Sequence, residues 1–160
     1  MSMTGLRNLD RAIQTTNQWL ADLDQKLAWG DRQRSYAALR TVLHALRDEL
    51  VLEEAVQLGA QLPMIIRGMY FEGWQPRKVP IKERDVETFL GRVAEGYTQA
   101  PGSKVIDPEW LTRAVFALLQ DYVSAGEIDD VKGMLTKGIA ALWTTPGEPS
   151  AQPREDGARR

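Results

Sequence analysis

Residues 38–70 read ALRTVLHALRDELVLEEAVQLGAQLPMIIRGMY, and this stretch decides the fold. Its apolar residues return at intervals of three and four. Leu39, Val42, Leu43, Leu46 and Leu50 make one stripe, and Ala55, Leu58 and Leu62 make a second. That is the period of helices with one buried face. Glu53 and Glu54 stand where negative charge favours a helix start. Pro63 suits the first turn of a further helix carrying Ile65, Ile66, Met69 and Tyr70. Moved 73 positions without a gap, the stretch falls on residues 111–143, LTRAVFALLQDYVSAGEIDDVKGMLTKGIAALW. Arg40 then meets Arg113, Val42 meets Val115, Leu46 meets Leu119, Asp48 meets Asp121, Glu54 meets Glu127, Leu62 meets Leu135 and Ile66 meets Ile139. Seven identities in 33 pairs stand against about two by chance. Most remaining core pairs stay apolar, as Leu43 with Phe116 and Tyr70 with Trp143.

The same period runs outward from the overlay. Leu9, Ile13, Leu20, Leu23 and Leu27 form a first helix, ended by Gly30, with Asp31 as the cap of the next. Val86, Phe89, Leu90 and Val93 follow Asp85, and Asp107-Pro108-Glu109 is a strong helix start ahead of Leu111, Val115, Leu118, Leu119 and Tyr122. Ser124-Ala125-Gly126 reads as a stop, Ile128, Val131, Met134 and Leu135 as the next helix, and Thr136 as the cap of the last. No β-branched run alternates with polar residues, and no hairpin turn joins such runs. The expected fold is all-α: about eight helices in two tandem, sequence-related four-helix units packed into one compact body. The units span residues 1–72 and 85–143. Residues 73–84, with Pro76 and Pro80, form a basic linker. Residues 144–160, rich in proline and glycine and without large apolar side chains, are expected to form a disordered tail.

Composition narrows the chemistry. The chain has 160 residues, 43% hydrophobic and 26% charged, with 20 Lys+Arg against 22 Asp+Glu and a formal charge of −2. No global field marks a nucleic-acid or membrane partner. One histidine and no cysteine exclude disulfides, zinc fingers, iron–sulfur clusters and cysteine nucleophiles. No apolar run approaches the ~20 residues of a membrane span. The first residues lack the apolar core of a secretory signal, so a cytoplasmic location is expected.

Few residues are candidates for function. His44 lies one turn after Arg40 and one turn before Asp48, and such a ladder orients an imidazole for acid–base work. The plainer reading is a half-buried histidine bonded between helices, because Ala117 takes its place in the second half while Arg113 and Asp121 keep theirs. The repeated arginines and aspartates read as structural polar contacts. Trp74 with Arg77, Lys78, Lys82 and Arg84 combines an aromatic with basic charge, the pattern that meets phosphates and stacks on bases. The favoured reading is a solvated linker whose Trp74 packs against the fourth helix, because the chain's net charge is −2 and Glu72 and Glu83 lie nearby. Glu53, Glu54, Glu127, Asp129 and Asp130 sit near helix starts and need only the helix dipole. Ferritin-like and calcium-loop patterns are absent, so no metal and no cofactor is expected. Phosphate loops and nucleophile elbows are absent too. The densest apolar stretch, Met64, Ile65, Ile66 and Met69, would be a self-association surface if uncovered.

Residues 36–50 (YAALRTVLHALRDEL), 58–63 (LGAQLP), 70–74 (YFEGW), 89–96 (FLGRVAEG), 114–119 (AVFALL) and 126–131 (GEIDDV) together resemble the bacterial DUF2267 family over about residues 8–143. The resemblance implies a helical fold and a bacterial cytosolic setting. It brings no reaction, cofactor or catalytic residue. The leading expectation is a non-catalytic interaction module, probing a protein partner or a second copy of itself through helix faces. Nucleic-acid binding through residues 73–84, and an enzyme or ligand carrier at the junction of the units, are the alternatives.

Overall fold

The computed structural model describes residues 3–98 and 106–143. These residues form eight α-helices: α1 (Arg7–Leu27), α2 (Arg32–Glu49), α3 (Leu52–Ala60), α4 (Met64–Phe71), α5 (Val86–Thr98), α6 (Pro108–Tyr122), α7 (Ala125–Met134) and α8 (Lys137–Ala140). One 3-10 turn, Pro76–Lys78, lies between α4 and α5. No strand occurs among the described residues, and the fold is all-α. The expectation for residues 144–160 lies outside the described residues.

Local chemistry sets the helix starts. The Asp31 side chain accepts from the Arg34 amide at 3.1 Å, that of Asp85 from Thr88 at 2.9 Å, and that of Asp107 from Glu109 at 3.0 Å. Two details differ from the sequence reading. α1 ends before Gly30: Ala28 takes the left-handed conformation at φ 56° and its amide bonds the Asp24 carbonyl at 2.8 Å. Ser124-Ala125-Gly126 opens α7 instead of ending α6, because the Ser124 hydroxyl accepts from the Glu127 amide at 3.3 Å. The break between α6 and α7 falls on Val123.

Positions 73 apart carry nearly the same backbone. Leu50 and Val123, which end α2 and α6, have φ/ψ of −95°/146° and −97°/145°. Pro63 and Thr136, before α4 and α8, have −66°/158° and −65°/159°. Burial matches as well. Val42 and Val115, Leu46 and Leu119, Leu58 and Val131, and Ile66 and Ile139 are all fully buried.

Helix packing follows the same overlay. α1 lies on α2 as α5 lies on α6. Across the halves α2 packs on α5 and α1 on α6, an exchange of equivalent partners, while α2 meets α6 and α3 meets α7. One continuous core results, with Leu23, Leu43, Leu46 and Tyr70 from the first half and Phe89, Phe116, Leu119 and Trp143 from the second. Phe116 stacks on Trp143 at 4.1 Å between ring centroids.

The segment between α4 and α5 is stitched down at its end. The Ile81 amide donates to the Asp48 carbonyl at 3.0 Å, and the Thr136 hydroxyl donates to the Arg84 carbonyl at 2.8 Å. The Arg84 guanidinium meets the Glu49 carboxylate and the Met134 carbonyl.

Candidate functional site

α2 and α5 bound a groove of about 710 Å³ at the junction of the two halves. Tyr36, Arg40, His44 and Asp48 line it from α2, and Arg92 and Gly96 from α5. Gly96 permits this approach, since a Cβ there would stand 3.0 Å from Thr41 Cγ2. The groove brings Arg40, His44 and Asp48 into one wall, but the ladder does not close. His44 Nε2 lies 2.7 Å from the Met69 carbonyl, which only accepts, so the imidazole donates from Nε2. Asp48 accepts from Arg47 Nε at 2.9 Å, and Arg40 meets the Glu72 carboxylate at 3.3 Å. Burial holds the His44 pKa below its usual value. The histidine therefore joins α2 to α4 as a neutral donor, and no carboxylate orients it as a base.

Two residues that the sequence did not single out lie buried behind this wall. Glu49 is fully buried and its carboxylate meets both Arg84 and Arg92, while Arg47 donates to the Tyr70 and Glu72 carbonyls at 2.8 Å each. A buried carboxylate with two guanidiniums fixes geometry more than it adds stability. Glutamate in mid-stripe of α2, four residues after Ala45, was the available signal, because a charged residue rarely occupies a buried face without a partner.

The other candidates lie apart from the groove. Arg113 meets the Glu109 carboxylate at 2.9 Å and the Ala141 carbonyl at 3.3 Å, and Asp121 pairs with Lys26 of α1 at 2.9 Å. Trp74 is half-buried, with its ring 5.3 Å from that of Phe71. Arg77 and Lys78 are exposed on the 3-10 turn. Two members of the aromatic-and-basic pattern, Trp74 and Arg84, are thus engaged within the fold.

One exposed patch is apolar. Val51, Leu52 and Val56 at α3, with Met64 and Ile65 at the start of α4, are 38%, 49%, 48%, 57% and 38% exposed. Their counterparts 73 residues on are Ser124, Ala125, Asp129, Lys137 and Gly138, all exposed and all polar or small. The two halves match in the core and diverge here.

No helix among the described residues is long and apolar enough to cross a membrane. The model of an uncharacterized conserved protein family, DUF2267, matches residues 16–142. No curated protein matches the chain.

Proposed function

The chain belongs to the DUF2267 family, and from that premise we propose that it is a non-catalytic helical interaction module of the bacterial cytosol that associates with a second copy of itself through the α3–α4 face. The observation that carries this reading is the divergence of the halves. Equivalent exposed positions are polar or small in the second half, so the fold does not require Val51, Leu52, Val56, Met64 and Ile65 to be apolar. Five of the eleven exposed large hydrophobic side chains among the described residues lie at α3 and the start of α4, and such grouping marks an interaction surface. A second copy is the occupant favoured by charge: the formal net charge is only −2, so copies repel weakly. The engagement of His44 with the Met69 carbonyl, of Asp48 with Arg47 and of Arg40 with Glu72 supports a non-catalytic role. The matched burial and backbone angles support descent from a duplicated four-helix unit.

The second half supplies the test residues. Val56→Asp with Met64→Lys places on α3 and α4 the residues that their counterparts already carry. Light scattering after size exclusion, over a wide concentration range, should find the parent associated and this variant monomeric, with an unchanged far-ultraviolet circular dichroism spectrum and a melting temperature that no longer rises with concentration. A parent that stays monomeric throughout, or a variant that associates equally, overturns the proposal.

A further inference from the structure

Glu54 and Glu127 each hold the third position of a helix, α3 and α7, and they are partners in the 73-residue overlay. Where α3 packs on α7 the two carboxylates meet. Each residue is more than nine-tenths buried, at 6% and 7% exposure, and Oε1 of each is shut off from solvent without a hydrogen-bond partner. Asp130 lies nearly one turn after Glu127 and is exposed. One oxygen from each of the three residues lies within 4.8 Å of the other two. Among the described residues no lysine or arginine forms an ion pair with any of them.

Buried like charges demand a counter-charge. The N-termini of α3 and α7 supply only partial positive charge, about half a unit each. That is too little for three carboxylates. We propose that Glu54, Glu127 and Asp130 form a site for a hard divalent cation, calcium-sized, that ties the first half of the chain to the second. An all-oxygen anionic donor set selects calcium, manganese or magnesium over softer metals. Calcium–oxygen bonds of about 2.3–2.6 Å are compatible with oxygens that lie within 4.8 Å of one another, and calcium tolerates an irregular, partly hydrated shell that magnesium does not. The exposed Asp130 leaves one side open for the waters that complete the shell.

Sequence reading assigned these acids to the helix dipoles, since neither helix alone carries a ligand set. The site exists only where α3 and α7 cross. Titration calorimetry of the metal-stripped full chain with calcium chloride should give one saturable site, and calcium should raise the melting temperature. Asp130→Asn should weaken binding at least about tenfold, the loss of one charged ligand, and Glu127→Gln should abolish it. Asp130 is exposed, so its variant folds even if the Glu127 variant does not. Absence of heat and of any melting shift with calcium, manganese or magnesium overturns the site, and leaves a carboxyl pair that shares a proton. Binding that survives Asp130→Asn undiminished also overturns it, because the cation then sits elsewhere.

Discussion

His44 carries the clearest pH consequence at the scale of single residues. Its ordinary pKa is 6.5, and burial lowers it in the fold. Arg40 and Arg47 lower it further, while the hydrogen bond to Met69 and the charge of Asp48 oppose the shift. A base with a depressed folded pKa binds fewer protons than the unfolded chain just below pH 6.5, so stability falls as pH drops through that value. The contribution is complete above pH 6.5. Urea midpoints at about pH 5 and pH 7.5 should therefore differ more for the parent than for His44→Gln. Glutamine keeps a donor for the Met69 carbonyl but does not titrate. Equal differences would assign the pH response to carboxylates instead.

Helix starts were legible in the sequence because a cap is a contact between neighbours in the chain. The Asp31 side chain takes the Arg34 amide, and its own amide donates to the Asp24 carboxylate at 3.1 Å, which also accepts from the Ser35 hydroxyl at 2.8 Å. Asp31→Ala should cost about 1 kcal/mol, the usual value of a lost N-cap, read from the urea midpoint at unchanged slope. A neutral result would mean that Asp24 or water satisfies the free amides. Helix ends were less legible. Ala28 accepts a left-handed conformation that costs an ordinary residue roughly 1–2 kcal/mol, while Gly30 was the residue suited to it. Packing supplies the compensation: Leu27 is fully buried, and Trp29 lies under the Arg34 guanidinium at 4.1 Å and beside Tyr97. Between α6 and α7 two residues outside the helices, Val123 and Ser124 with ψ of 145° and 146°, make the turn, so the glycine at 126 was free to enter the helix. The groove and the carboxylate pair were illegible for a related reason. Arg40, His44 and Asp48 share a helix face that spacing alone defines, but Arg92, Glu72 and Met69 reach them through packing between elements. Glu54 and Glu127 were matched by the overlay, yet nothing in a one-dimensional register says that equivalent residues touch.

At the scale of the whole molecule, the exchange of partners between halves decides how the chain unfolds. α1 rests on α6 and α5 on α2, so separating the halves exposes the stripes of four helices at once. Leu46 and Leu119 sit 73 positions apart in the sequence, both fully buried, on the two helices α2 and α6, which pack against each other. Truncating either to alanine should cost about 2–5 kcal/mol, the range for a leucine removed from a packed core. If each half were self-sufficient, Leu119→Ala would loosen only the second and split the transition. A shared core predicts instead one shifted transition, seen alike by far-ultraviolet circular dichroism, which reports all helices, and by tryptophan emission. Trp19 from the first half and Trp110 and Trp143 from the second are all buried, so the emission samples both halves. The two substitutions should produce comparable shifts, and neither should separate the two probes. Probes that part company in the Leu119→Ala variant, with helix content surviving after the tryptophans are exposed, would mean that the first half holds its fold without the second.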